Sequence, residues 1–191
     1  MISKKLIKQA KELSYSDAKK FGAPSLFHID LSIEKGQELA SKLNAKKEIV
    51  LLGTILMDCA LGTAMNMGKL KKHIEMSAKK AKELLNRFAE VTNDEKEDIL
   101  NCVRQHHGVN KFYSLESEIC CNADCYRFLS VKGVIGGMKN SRDMTLDELI
   151  KLYLDKADEK WNTLTLDICK EELRPQYKAI REFLGICCIW F

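Results

Sequence analysis

Proline is scarce in this chain of 191 residues, with two in all, and glycine is limited to ten. That leaves little room for long structureless linkers. Aromatic residues make up 7% and the net charge is only +4. A nucleic-acid surface would need a denser basic patch interleaved with aromatics, so no nucleic-acid partner is expected. Alternating strand patterns, hairpin signals and internal repeats are absent, as are GxGxxG after a strand and GxxxxGK[ST]. Those absences exclude the usual phosphate-cradling loops. The opening stretch, MISKKLIKQAKELSYSDAKKFG, carries lysines throughout and no apolar run of the secretory kind. A reducing, cytoplasmic setting is therefore expected. The eight cysteines include no CxxC pair. A thiolate zinc or iron–sulfur site built on Cys59, Cys120, Cys121 and Cys125 is thus disfavoured against buried thiols acting as small core residues.

What is present is ordinary for a globular protein: 46% hydrophobic and 30% charged residues, which excludes disorder of the whole chain. The pattern is helix after helix. Apolar residues recur at helical spacing over 2–20 and 26–44, and over 49–60 the chain is apolar all round, as in a buried central helix. LGTAMNMGKL is expected to connect it to an amphipathic helix over 71–89. Thr92 and Glu95 have capping-box spacing and open a helix to about His107. HHGVNKFYS reads as a loop and 115–130 as another helix. VKGVIGGMKNSRDM, rich in glycine, is expected to be a mobile connection. Thr145 and Glu148 form a second capping box before a helix over 146–161. A last helical region spans 165–184, which Pro175 should bend or split. The tail GICCIWF is expected to pack on the core or to serve as a homodimer contact. The fold class expected is all-α, a single-domain helical bundle.

The run from Ile49 to Gly68 contains one formally charged residue, Asp58. At about 20 residues it has the length of a membrane span. An Asp near its middle would cost roughly 2.5–3.5 kcal/mol there, and three glycines interrupt it, so a soluble core helix with no membrane partner is expected. Asp124, in CCNADCYRFL, is likewise a carboxylate among apolar neighbours. A buried carboxylate without a partner has its pKa raised or destabilises the fold. Metal coordination is one arrangement that keeps it charged. The four histidines, His28, His73, His106 and His107, all lie at or near predicted helix ends, where they can converge on one pocket. Imidazole with carboxylate suits divalent ions such as Mn, Fe, Ni, Co, Zn or Mg.

In this order the residues resemble the HD-domain superfamily of metal-dependent phosphohydrolases. HIDLSIEKGQELA resembles the segment with the first His, LLGTILMDCALG the His-Asp segment and HIEMSAKKAKELL the segment with an additional His. VRQHHG resembles the paired-His segment and ICCNADCYRFL the segment with the final Asp. The likeness covers residues 26–130, and the stretch from 145 to 185 is similar to the helical extension of uncharacterised members. The resemblance implies a divalent metal held by His28, Asp58 and Asp124, with His73 and one or both of His106 and His107 serving a second metal or the substrate. It also implies that Asp58 orients the attacking water. Arg104, Lys69, Lys72, Lys111 and Arg127 lie near these motifs, and Lys72, Arg104 and Lys111 are the candidates for binding substrate phosphate. The departure is at the doublet itself, which reads Met57–Asp58 where the family has His-Asp. A thioether is a poor ligand for such ions. Two functions follow: hydrolysis of a nucleotide or other small phosphate ester at an atypical metal site, or a catalytically degenerate scaffold that binds a nucleotide or a partner protein.

Overall fold

Short polar side chains decide where most of the helices begin. The computed structural model describes residues 2–141 and 144–190, with side chains as far as Cys187. Ser3 caps α1 (Lys4–Phe21), accepting from the Leu6 N–H, and Ser25 caps α2 (Leu26–Lys42), accepting from the His28 N–H. Each cap satisfies a first-turn donor that has no partner within the helix. Next come α3 (Lys47–Leu56), α4 (Leu61–Asn66), a 3-10 turn at Leu70–Lys72 and α5 (His73–Leu85). The Thr92–Glu95 capping box opens α6 (Asn93–Gln105), and Ser114 with Ser117 opens α7 (Leu115–Leu129). The series closes with α8 (Val131–Asn140), α9 (Leu146–Thr163) behind the Thr145–Glu148 box, and α10 (Asp167–Trp190). No strand occurs among the described residues. The architecture is all-α and a single domain.

The apolar helix α3 lies at the centre, packed against α2, α6 and α7. Its Ile49, Val50, Leu52, Ile55 and Leu56 are all buried in one core with Leu39, Leu85, Ile99, Ile119 and Tyr126. Residues 47–66 are long and apolar enough to cross a membrane by composition, but most of that stretch is buried within the protein. The helix also ends earlier than its apolar run predicts. The Cys59 N–H bonds back to the Leu56 carbonyl, and the Ala60 N–H donates to Ser77 Oγ of α5 at 3.1 Å. Asp58 thus sits in a tight turn rather than inside a helix.

Two further expectations are corrected and a third is narrowed. LGTAMN is not a connection but helix α4. It is tied to α1 through Asp17, which accepts from the Thr63 N–H at 3.0 Å and from Lys80 Nζ at 3.0 Å. The glycine-rich stretch after Ser130 is not a loose connection but helix α8; Arg142 and Asp143 of that stretch lie outside the described residues. Ser130 joins the two helices, its hydroxyl donating to the Tyr126 carbonyl at 2.6 Å and accepting from the Gly133 N–H at 2.9 Å. The glycines serve close packing there. A Cβ on Gly136 would stand 2.1 Å from the Phe27 ring, and one on Gly137 would stand 2.6 Å from His28 Nε2. Finally, α10 continues through Pro175 without being split, at the cost of the backbone bond that proline cannot donate. Of the GICCIWF tail, Ile186 is exposed and Cys187 half-buried, and the side chains beyond lie outside the described residues.

Gly53 is where α3 comes closest to its neighbours: a Cβ would stand 2.5 Å from Cys102 Cβ and 2.7 Å from Cys120 Sγ. Gly53→Ala is therefore expected to destabilise the fold by about 1–3 kcal/mol, as overpacked cores do. Gly185→Ala on α10, with nothing within 4 Å, should be neutral or stabilising by less than about 1 kcal/mol. Urea denaturation of the two variants checks the contrast.

Candidate metal centre

Helix ends and one turn bring the polar residues together. Asp58 comes from the α3–α4 turn, and His73 is the first residue of α5. His106 is the C-cap of α6 and His107 follows it. Asp124 and Arg127 lie one turn apart on α7, Lys160 comes from α9, and His28 stands in the first turn of α2. Several of these charged groups are almost fully buried: Asp124 and Lys160 are each 1% exposed and Arg127 6%.

Three of the four oxygens of the two aspartates are already engaged by cations. Nη1 of Arg127 bridges both carboxylates, at 2.6 Å from Asp58 Oδ2 and 2.7 Å from Asp124 Oδ1. Lys160 Nζ lies 2.6 Å from Asp124 Oδ2, a close ion pair without the direction of a hydrogen bond. Burial pushes both carboxyls up, but the cations outweigh it. Arg127 holds Asp58 well below the carboxylate range, and Lys160 with Arg127 holds Asp124 down. Burial opposes the charge on Arg127 and Lys160 too, yet the aspartates raise both above their ordinary values. Two buried anions and two buried cations thus form a closed, charge-balanced group.

The fourth oxygen, Asp58 Oδ1, turns the other way. It is 3.4 Å from His106 Nε2 and 3.6 Å from His73 Nε2. The opposite nitrogen of each ring is committed to a backbone carbonyl: His73 Nδ1 to Leu70 at 2.8 Å and His106 Nδ1 to Val103 at 2.7 Å. With Nδ1 donating, a neutral ring presents Nε2 as an acceptor. Three acceptor atoms then face one another, and none of the three has a hydrogen-bond partner. His107 completes the group, with ligand atoms of His73, His106 and His107 all within 4.8 Å of one another. Burial, with the Lys160 charge, pushes the His107 pKa down to about 3, which keeps that ring neutral. An arrangement of buried lone pairs turned inward calls for a cation at its centre, and imidazoles oriented by backbone carbonyls are the usual form of a metal ligand.

The two halves therefore differ as places for an ion. The histidine side, with Asp58 Oδ1, fits one. The aspartate pair does not, because Arg127 stands between the carboxylates. His28 is also turned elsewhere: its Nε2 donates to the Gly133 carbonyl at 3.1 Å, and its ring is close to Phe27 and Phe128. Burial and the Arg127 charge lower its pKa to about 4. Met57 is buried beside Asp58 in the turn. Of the residues proposed for phosphate, Lys72 and Lys111 are exposed at the surface and Arg104 pairs with Glu97 at 2.9 Å on the outer face of α6. Lys160 escaped the sequence reading because α9 is remote from every motif. Arg127 carried a usable signal, its i, i+3 spacing from Asp124 on one helix face. Cys59, Cys120, Cys121 and Cys125 are buried as free thiols, and burial raises the pKa of Cys59 and Cys125.

The chain is similar to known proteins in sequence pattern and in fold. The profile of the HD domain matches residues 28–129. No curated protein sequence matches the chain. Among solved structures, a protein of Lactobacillus plantarum superposes with a TM-score of 0.71 at 16% identity, covering 100% of this chain and 99% of its own. A predicted HD superfamily hydrolase from an uncultured Thermotogales bacterium gives 0.68 at 15% identity, over 96% and 92% of the two chains. Bacillus subtilis YpgQ in complex with ADP gives 0.62 at 15% identity, over 95% and 94%. Identities this low speak to the fold alone.

His28 yields a pH signature. Its pKa falls from 6.5 to about 4 on folding, so the unfolded chain takes up the proton first as the pH drops. The contribution is intact above pH 6.5 and is lost as the pH falls from there to about 4, at up to about 1.4 kcal/mol per pH unit. In urea titrations at pH 7, 6, 5 and 4, His28→Gln should flatten this part of the stability profile relative to the wild type.

Proposed function

Since the chain belongs to the HD-domain family, we propose that it is a metal-dependent phosphohydrolase working with an ion held on the histidine side of its site. The observation that carries this is the convergence of His73 Nε2, His106 Nε2 and Asp58 Oδ1, buried and without partners, beside His107. These residues would hold the ion, and Asp58 would serve both as ligand and as the group that orients the attacking water. When bound, a divalent ion would supply Lewis-acid activation of water and positive charge for a phosphoryl oxygen. A donor set of three imidazoles and one carboxylate oxygen suits Zn, Fe, Co, Ni or Mn and is poor for Mg, which takes oxygen ligands and keeps its waters.

The rest of the chain's work is positional. The Leu70 and Val103 carbonyls fix the tautomer of His73 and His106 and hold both rings in place. His107, a third exposed, lies on the solvent side of the cluster, so a substrate approaches past it. The substrate class proposed is a small phosphate ester, with a nucleotide favoured because YpgQ, of the same fold, was crystallised with ADP. Met57 takes the place where the resemblance puts a histidine ligand, which agrees with an ion displaced from the aspartate pair.

A second reading has its own observation. Arg127 and Lys160 neutralise the aspartates without any metal, and a scaffold that binds a nucleotide or partner without hydrolysis needs no more than that. Elemental analysis separates the two. The phosphohydrolase reading expects stoichiometric transition metal in the purified protein, or after reconstitution with Mn, Fe, Co, Ni or Zn. Asp58→Ala and His106→Ala should each lower that content at least tenfold and abolish phosphatase activity on a panel of nucleotides. A protein that stays metal-free under all these conditions is the scaffold.

A further inference from the structure

The aspartate pair has the form of an ion site, and a side chain of the chain itself occupies it. One nitrogen, Arg127 Nη1, lies within 2.7 Å of both Asp58 and Asp124. The remaining Asp124 oxygen is 2.6 Å from Lys160 Nζ. All four residues are buried and their formal charges cancel. A divalent ion between the carboxylates would have to displace the guanidinium and leave that buried cation without its partners.

We propose that Arg127 is a built-in cation standing in for a metal ion between Asp58 and Asp124, so that this site takes one ion rather than two. Arg127 is also a positioning residue. By holding Asp58 Oδ2 it leaves Oδ1 directed at His73 and His106, where it completes the remaining ion site. Lys160 plays the supporting part, neutralising the Asp124 oxygen that Arg127 does not reach. The count of one ion rests on the histidine-side reading above, while the substitution itself rests only on the geometry of the aspartate pair.

Cobalt(II) is a suitable probe, counted by elemental analysis after equilibrium dialysis of the full chain. Wild type is expected to hold one equivalent, lost in His106→Ala and retained in Asp124→Asn. Arg127→Gln, which removes the charge and leaves a shorter polar side chain, should hold two, with the second lost when Asp124→Asn is added. Its melting temperature should fall without metal and recover when cobalt is supplied, a response that a purely structural arginine would not give. If the histidine-side reading fails, wild type holds none and Arg127→Gln holds one, so the two proposals are separable. Two equivalents in wild type would overturn the substitution. So would a folded Arg127→Gln that gains none, or a single wild-type ion lost in Asp124→Asn and kept in His106→Ala. Should Arg127→Gln not fold, the wild-type count and the two single variants still decide.

Discussion

One guanidinium nitrogen, shared between two buried aspartates, organises the centre of this protein. Asp58 arrives from a turn after the core helix α3, Asp124 from the middle of α7, and Arg127 from one turn further along α7. Neither carboxylate could be held charged in that environment alone. Removing water from two anions is costly, and breaking such a pair by deleting one partner typically costs about 3–5 kcal/mol. Lys160 extends the same requirement to α9, which brings the C-terminal helices into the electrostatics of the site. The bridge thus joins α3, α7 and α9 through charge where the surrounding contacts are apolar.

The same bridge divides the site. On one side every charge is answered by another charge, and the arrangement is complete as the protein stands. On the other side Asp58 Oδ1 and two histidine nitrogens face each other as acceptors, with the Nδ1–H of each ring donated to a backbone carbonyl. Buried polar atoms left in this way carry a penalty that a fold sustains where function needs them. The family's fold therefore holds two kinds of chemistry in one cluster here: a self-contained ion-pair group and an open, nitrogen-rich ligand set. An arginine bridge is permanent where a bound ion would be exchangeable, so the proposed substitution would free that half of the site from metal supply.

Much of the fold was legible along the chain because its causes are local. Thr92–Glu95 and Thr145–Glu148 act as capping boxes where their spacing predicts, and the all-apolar stretch after Ile49 is the central helix. The misreadings have tertiary causes. α3 ends at Leu56 because Ser77, far along the chain, takes the Ala60 N–H. α4 is held by Asp17 from α1. α8 is a helix because Phe27, His28 and Tyr153 press on its glycine face, where larger side chains would collide. Glycine content predicts looseness only when nothing packs against the missing Cβ atoms.

For the site, residue types and their order pointed to a converging set of His28, Asp58, His73, His106, His107 and Asp124. Which atoms meet was decided elsewhere. His28 donates to Gly133 over a separation of 105 residues, and Lys160 reaches Asp124 from a helix that carries no motif. By itself the sequence determined the helices, the caps, the isolation of Asp58 and Asp124 in apolar surroundings and the family likeness, because each depends on neighbours within a few positions. The tertiary structure alone decided that Arg127 fills the space between the aspartates and that one oxygen of Asp58 is left for the histidines. Charge pairing acts through space, at distances below 4 Å between residues far apart in the chain, and a local pattern encodes only its Arg127–Asp124 half.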